Sequence, residues 1–217
     1  MTRSLALALG LILSLPATAE EITMLPDRIE PSCRAGQATL YDECGSQTKL
    51  FRRALSRASA EGKTLLVSYG AEWCIWCHVF EQYIKGEHTR LTYRFSEPGE
   101  ERMEEVTLSE RPVSDPSAEA AALNAFVAET FVVVHIEDYH SADGYDVLIA
   151  SGADAAYAGG LPFIFTVSAD GRYAAQLEST EVETRRDGFI DWYRGYDRPS
   201  LMAALTEMDR AARQPAK

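Results

Sequence analysis

The chain has 217 residues, with 21 Lys and Arg against 33 Asp and Glu, a formal charge of −12. Such an acidic surface repels phosphate backbones, and no basic stripe with interleaved aromatics offsets it, so no nucleic-acid partner is expected. Hydrophobic residues make up 46%, the level of an ordinary globular protein, and the length suits one domain with a sizeable core.

Residues 1–19 read as a secretory signal peptide. Arg3 supplies a positive start, LALALGLILSL is an apolar run short for a bilayer, and Ala17-Thr18-Ala19 offers a cleavage site before Glu20. An uncleaved N-terminal anchor is the alternative, and export follows from both. Loss of Arg3 makes the remainder slightly more acidic. No second long hydrophobic segment follows, so a soluble product without a membrane span is expected, in the periplasm or secreted. All four cysteines lie beyond the signal, at 33, 44, 74 and 77, and an even number in an oxidising compartment suggests pairs.

Residues 20–45 carry Pro26, Pro31, Gly36 and Gly45 with little periodicity and read as an irregular N-terminal arm. A structural disulfide between Cys33 and Cys44 would staple it, contributing about 3 kcal/mol in the chain-entropy model. Two other readings stay open: a second redox pair passing electrons to Cys74 and Cys77, and a metal site.

The main domain is expected over 46–217. A helix begins at Ser46 as N-cap, carries Leu50, Ala54, Leu55 and Ala58 on one face, and stops at Gly62. Thr64–Tyr69 is a short apolar run, as in a buried strand. The chain turns at Gly70-Ala71-Glu72-Trp73, and CIWCHVFEQYIKG continues with Cys77, Phe80 and Ile84 at helical spacing. Residues 86–117, with Pro98, Pro112, Pro116 and EPGEERMEE, read as a charged insertion or long loop, too poor in apolar residues for a second core.

A helix is predicted over Ser117–Ala128 and a buried strand over Phe131–Ile136. After a short helical or loop segment come a strand at Pro162–Val167, a turn at Ser168-Ala169-Asp170-Gly171 and a partner strand at Arg172–Leu177. A last amphipathic helix, about Pro199 to Ala212, carries Leu201, Leu205 and Met208. The order gives an α/β fold: a parallel pair with an antiparallel hairpin at its edge, a mixed sheet flanked by helices.

Cys74-Ile75-Trp76-Cys77-His78 admits more than one chemistry. The thiolate is the reactive form of cysteine, and a helix N-terminus favours it through unpaired N–H groups and the positive end of the helix dipole. Cys74 is therefore the expected nucleophile. Cys77, one turn deeper on the same side, would attack a mixed disulfide and release the partner. The same letters also spell an attachment signal for a c-type haem, and a reduced Cys-x-x-Cys pair with a histidine can bind zinc or copper. A haem lacks room where the motif forms part of a tight strand-helix unit.

EGKTLLVSYGAEWCIWCHVF and GGLPFIFTVSADGRY together resemble the thioredoxin-like family, over about residues 46–85 and 118–214. The resemblance implies a thioredoxin-like fold and thiol-disulfide exchange through Cys74 and Cys77, with no cofactor and no metal. It implies a cis proline at Pro162, packed against the active-site sulfurs, and a Leu161 backbone that pairs with an extended stretch of substrate. Partners would be protein thiols or disulfides and an electron donor or acceptor, membrane-bound or soluble.

The chain departs from the family at Ile75-Trp76, where Gly-Pro is typical, and at Ser68, where many members carry a buried acid. Deprotonation of Cys77 would then fall to another base, Glu72 or a water. Reductase, oxidase and isomerase all remain open, and the insertion would cover the site or bind a partner.

Trp73 and Trp76 flank the motif as substrate-positioning candidates, with packing beneath the motif as the competing role for Trp73. His78 either tunes the pair or lies on an exposed first turn. His135 reads as a satisfied core or edge residue, and His140 with Asp138 and Asp143 as a solvated loop. Phe189, Trp192, Tyr193 and Tyr196 read as core or terminal packing ahead of a recognition surface, and Tyr173 as hairpin packing.

Overall fold

The computed structural model describes residues 21–88, 90–97, 100–107, 116–186 and 193–214. Residues 1–19, read above as a signal peptide, and Phe189 and Trp192 lie outside these residues. The main sheet has five strands: β1 (Thr23–Leu25), β2 (Thr64–Gly70), β5 (Phe131–Glu137), β6 (Phe163–Val167) and β7 (Tyr173–Gln176), in the order β1-β5-β2-β6-β7. β5 runs parallel to both β1 and β2, whereas β6 is antiparallel to β2 and β7. Every residue of β2 and β5 is buried, as continuous apolar runs in a covered sheet require.

Two helical layers cover the sheet. α1 (Gln47–Glu61) and α4 (Gly144–Ser151) lie on one face, where Leu50, Phe51, Ala54, Val147 and Leu148 pack on Leu65, Val67, Val132 and Val134. On the other face α2 (Ile75–Ile84), α3 (Pro116–Thr130) and α6 (Arg198–Ala212) bring Val79, Phe80, Leu123, Val127, Leu201 and Leu205 onto Leu66, Val133 and Ile164. The alternation of strand residues divides these two cores. Ser46 caps α1 by accepting from the Lys49 N–H, and Gly62 ends it in the left-handed region at φ 67°.

Two expectations need correction. The arm is not wholly irregular, because β1 is an edge strand pairing Thr23 with Val132 and Leu25 with Val134. Its three residues are too few to show a period. The charged insertion contains a hairpin, β3 (Arg90–Glu97) with β4 (Glu100–Thr107), paired from Arg90↔Thr107 to Glu97↔Glu100. Its charges hid it, since strand pairing is made by the backbone and needs no apolar face. A second hairpin, β8 (Glu183–Arg186) with β9 (Tyr193–Tyr196), follows the short α5 (Ser179–Val182) and precedes α6.

The 162–167 strand starts at Phe163, with Pro162 just outside it, and its partner covers Tyr173–Gln176. Tyr173 packs against Phe165 at 6.0 Å between ring centres, as hairpin packing predicts. Among the described residues no helix is long and apolar enough to cross a membrane.

Candidate functional site

β2 ends at Gly70, and four residues later Cys74 is the N-cap of α2, with extended backbone at φ −80° and ψ 108°. Its carbonyl accepts from Cys77 N at 3.0 Å and His78 N at 3.3 Å, and its Sγ accepts from Cys77 N at 3.3 Å. The sulfur thus takes one of the N–H groups that a helix start leaves unpaired, which is the environment that favours a thiolate. Cys74 and Cys77 are joined by a disulfide, with their Cα atoms 5.3 Å apart. Cys74 is 5% exposed and Cys77 not at all, so an incoming group can reach only the first.

Around the pair lie the residues singled out in the sequence. Trp73, Trp76 and Leu161, each partly buried, pack on a cluster of Tyr41, Ala71, Cys74 and Cys77. The Leu161-Pro162 peptide is cis, and Pro162 is buried directly ahead of β6. Trp76 leans edge-on against Tyr196 of β9 at 5.7 Å, and Trp73 against Tyr139 at 6.2 Å. Tyr139 is 60% exposed and extends the aromatic rim. Neither tryptophan is simply core or simply surface.

His78 is not on an exposed turn. It is buried, and its Nε2 lies 2.6 Å from the Glu72 carbonyl oxygen. Glu72, the candidate base for Cys77, is occupied by the N-terminal arm: its carboxylate accepts from Leu40 N and Tyr41 N, both at 2.9 Å, and from the Thr39 hydroxyl. The loop of His140, Asp138 and Asp143 is likewise not merely solvated. Asp138 accepts from the Tyr69 hydroxyl, and Asp143 accepts from the backbone and hydroxyls at the start of α1. Burial alone would raise the Asp143 carboxyl, but those donors hold it down at about 2.

Three further residues, absent from the candidate set read in the sequence, stand at or next to the pair's surroundings. Tyr41 comes from the arm and is fully buried, its hydroxyl 3.0 Å from Ser68 Oγ and its ring edge-on to His135 at 5.3 Å. Gly70 faces Cys77 and Tyr41, leaving no space for a side chain: a Cβ there would lie 2.5 Å from each of Cys77 Sγ and Tyr41 Oη. Glu137, paired in register with Gly70, is fully buried. One of its oxygens accepts from Tyr139 N at 2.9 Å and His140 N at 3.1 Å, and the other has no hydrogen-bond partner.

Burial raises the Glu137 carboxyl to about 7, aided by Glu43 and opposed by those N–H groups. Burial also lowers His135 to about 3, so the imidazole beside Tyr41 is neutral. Of these, only Gly70 had a readable cue, its place immediately before the motif.

The arm's cysteines, Cys33 and Cys44, form a second disulfide, with Cα atoms 5.8 Å apart. Together with Asp42 their ligand-type atoms lie within 4.8 Å of one another. The two sulfurs, however, are bonded to each other and offer no thiolate. No family model matches the chain, and no characterised protein matches it.

Proposed function

We propose that the chain is an exported thiol-disulfide oxidoreductase of the thioredoxin-like kind, periplasmic or secreted, exchanging disulfides with protein thiols through Cys74 and Cys77. The observation that carries the reading is the Cys74–Cys77 disulfide at the N-terminus of α2, with one reachable sulfur and one wholly buried. In one direction a client thiolate attacks Cys74 Sγ, a mixed disulfide forms, and Cys77 leaves as a thiolate. A second client thiol then attacks the mixed disulfide, giving an oxidised client and reduced Cys74. In the other direction the Cys74 thiolate attacks a client disulfide, and Cys77 displaces the reduced client.

Leu161, packed on the cluster that holds both cysteines and followed by Pro162, supports the reading, with its backbone as the strand that a client would extend. Trp73, Trp76 and Tyr139 would supply the apolar rim on which an unfolded segment docks. The haem reading is less favoured, because it needs both sulfurs for thioether bonds and a free His78 nitrogen for the iron, whereas His78 Nε2 is held at the Glu72 carbonyl. No cofactor is required for exchange.

The test is a glutathione redox series with acid trapping and peptide mapping, run on wild type and Cys74→Ser. The Cys74/Cys77 pair should cycle at a potential between about −270 and −120 mV. Cys74→Ser should lose exchange with a disulfide-bonded protein. Full exchange activity in that variant would overturn the proposal.

A further inference from the structure

The Cys33–Cys44 loop is docked on the exchange site. Inside it, Thr39, Leu40 and Tyr41 clasp the Glu72 carboxylate, two residues before Cys74. Glu43 meets Arg34 Nε at 3.1 Å and His140 Nε2 at 3.5 Å, tying the loop to the end of β5. Gln47 donates to the carbonyls of Asp42 and Gly45 and accepts from the Glu137 N–H, binding the same region to α1 and β5. Arg34 and Ala35 adopt left-handed backbone, at φ 51° and 55°, a conformation costing about 1 kcal/mol or more for each such residue. The cross-link and the clasp hold the loop in that shape.

Tyr41 is what this loop delivers. Cys77 Sγ and Tyr41 Oη both lie 2.5 Å from the point where a Gly70 Cβ would stand, so the two atoms are no more than about 5 Å apart. On its other side the hydroxyl meets Ser68 Oγ at 3.0 Å, a pair in which either oxygen can be the donor.

We propose that the Cys33–Cys44 loop is a positioning element of the exchange site and that its Tyr41 hydroxyl donates a hydrogen bond to the Cys77 sulfur released when the disulfide opens. This rests on the exchange reading above. When a client thiolate bonds to Cys74 Sγ, the Cys74–Cys77 bond breaks and its electron pair leaves on Cys77. Ser68 then donates to the Tyr41 oxygen, and the Tyr41 O–H turns to the thiolate.

The surroundings make a neutral donor useful. Glu72 and Glu81 act on Tyr41 as negative charges, Glu137 joins them once it ionises, Lys85 is paired to Glu81, and His135 is uncharged. Burial and those carboxylates hold the phenol well above its ordinary range, so it donates without losing its proton.

The experiment compares wild type with Tyr41→Phe, which keeps the ring and its contact with His135. The Cys74/Cys77 equilibrium with glutathione should move about tenfold toward the disulfide, equivalent to about 30 mV more negative. In a Cys74→Ser background, the ultraviolet absorbance of the Cys77 thiolate should appear at higher pH once Tyr41 is Phe. A structural role alone moves neither reading in a folded variant.

If Tyr41→Phe does not fold, Ser68→Ala replaces it. Removing the donor that polarises the Tyr41 O–H should give a smaller shift in the same direction. A folded variant whose constant stays within twofold of wild type overturns the inference. A wild-type pair that fails to cycle overturns the exchange reading instead.

Discussion

The two disulfides span similar Cα distances, 5.8 and 5.3 Å, yet their surroundings differ in every respect that controls reactivity. Cys44 is exposed, but Asp42 stands beside its sulfur, and a carboxylate there opposes a thiolate. Cys74 is 5% exposed, but it caps a helix and accepts a backbone N–H. On the proposed reading, exposure alone would therefore point to the wrong pair, and the local field to Cys74 and Cys77. Separation along the chain points the same way. The 11-residue separation gives a cross-link worth about 3 kcal/mol by loop closure, against about 2 for a separation of 3.

The largest predicted effect breaks this comparison outright. Cys77→Ser should leave clients trapped on Cys74, since nothing displaces them, and turnover should fall by about a thousandfold or more. Non-reducing gels of protein mixed with a disulfide-bonded client would show the adduct. Cys44→Ser should trap nothing, and an adduct of equal yield would make the arm a redox pair and not a staple. The double variant Cys33→Ser/Cys44→Ser should instead lose about 3 kcal/mol in denaturant unfolding. Because the cross-link holds the loop that carries Tyr41, its redox equilibrium should also move toward the Cys74–Cys77 disulfide.

How much of this was readable depended on whether the determining chemistry was local. Ser46 and Gly62 marked both ends of α1 because capping is settled within a turn. Continuous apolar runs marked β2 and β5, and the motif placed Cys74 and Cys77 at a helix start. β1 escaped because three residues hold no pattern, and β3 with β4 because charged strands resemble a loop. In the site, Leu161-Pro162 came through resemblance. Tyr41 and Glu137 did not come through at all: one acquires its place from a loop folded back on the motif, the other from register with Gly70. Ser68 was noticed as a missing acid, but its partner Tyr41 was not foreseeable from spacing.

The buried ionisable groups on the site's side of the sheet sharpen the comparison with the other side, whose core is apolar. Glu137 sits at about 7 in the fold against 4.5 unperturbed. Between those pH values the native state keeps a proton that the unfolded chain has lost, so stability falls as pH rises, by up to about 3 kcal/mol. His135, at about 3 against 6.5, works in the opposite sense: there the unfolded chain binds the proton, and stability is lost as pH falls from about 6.5 to 3. The groups bearing on Glu137 are the Glu43 carboxylate and the backbone N–H groups of His140 and Tyr139. Glu137→Gln preserves the acceptor for Tyr139 and His140, so its stability relative to wild type should climb between pH 5 and 8. Parallel denaturant curves for the two proteins over that range would mean that Glu137 titrates normally.

The smallest effects separate two glycines kept for different reasons. Gly62 closes α1 at φ 67°, with open space where a Cβ would stand, so Gly62→Ala meets only the left-handed backbone cost of about 1 kcal/mol. Gly70 lies in β2 with no such conformational demand, but its Cβ would approach Cys77 Sγ and Tyr41 Oη to 2.5 Å. Overpacking of this kind costs about 1–3 kcal/mol. Thermal unfolding should thus rank Gly70→Ala at or below Gly62→Ala, and the redox equilibrium should separate them fully. A methyl group between sulfur and hydroxyl removes the hydrogen bond that opens with Cys77, so Gly70→Ala should shift toward the disulfide as Tyr41→Phe does. Gly62→Ala, at the far end of α1, should leave the equilibrium constant unchanged. If both glycines shifted it equally, the potential would be following global stability and not the Tyr41 contact.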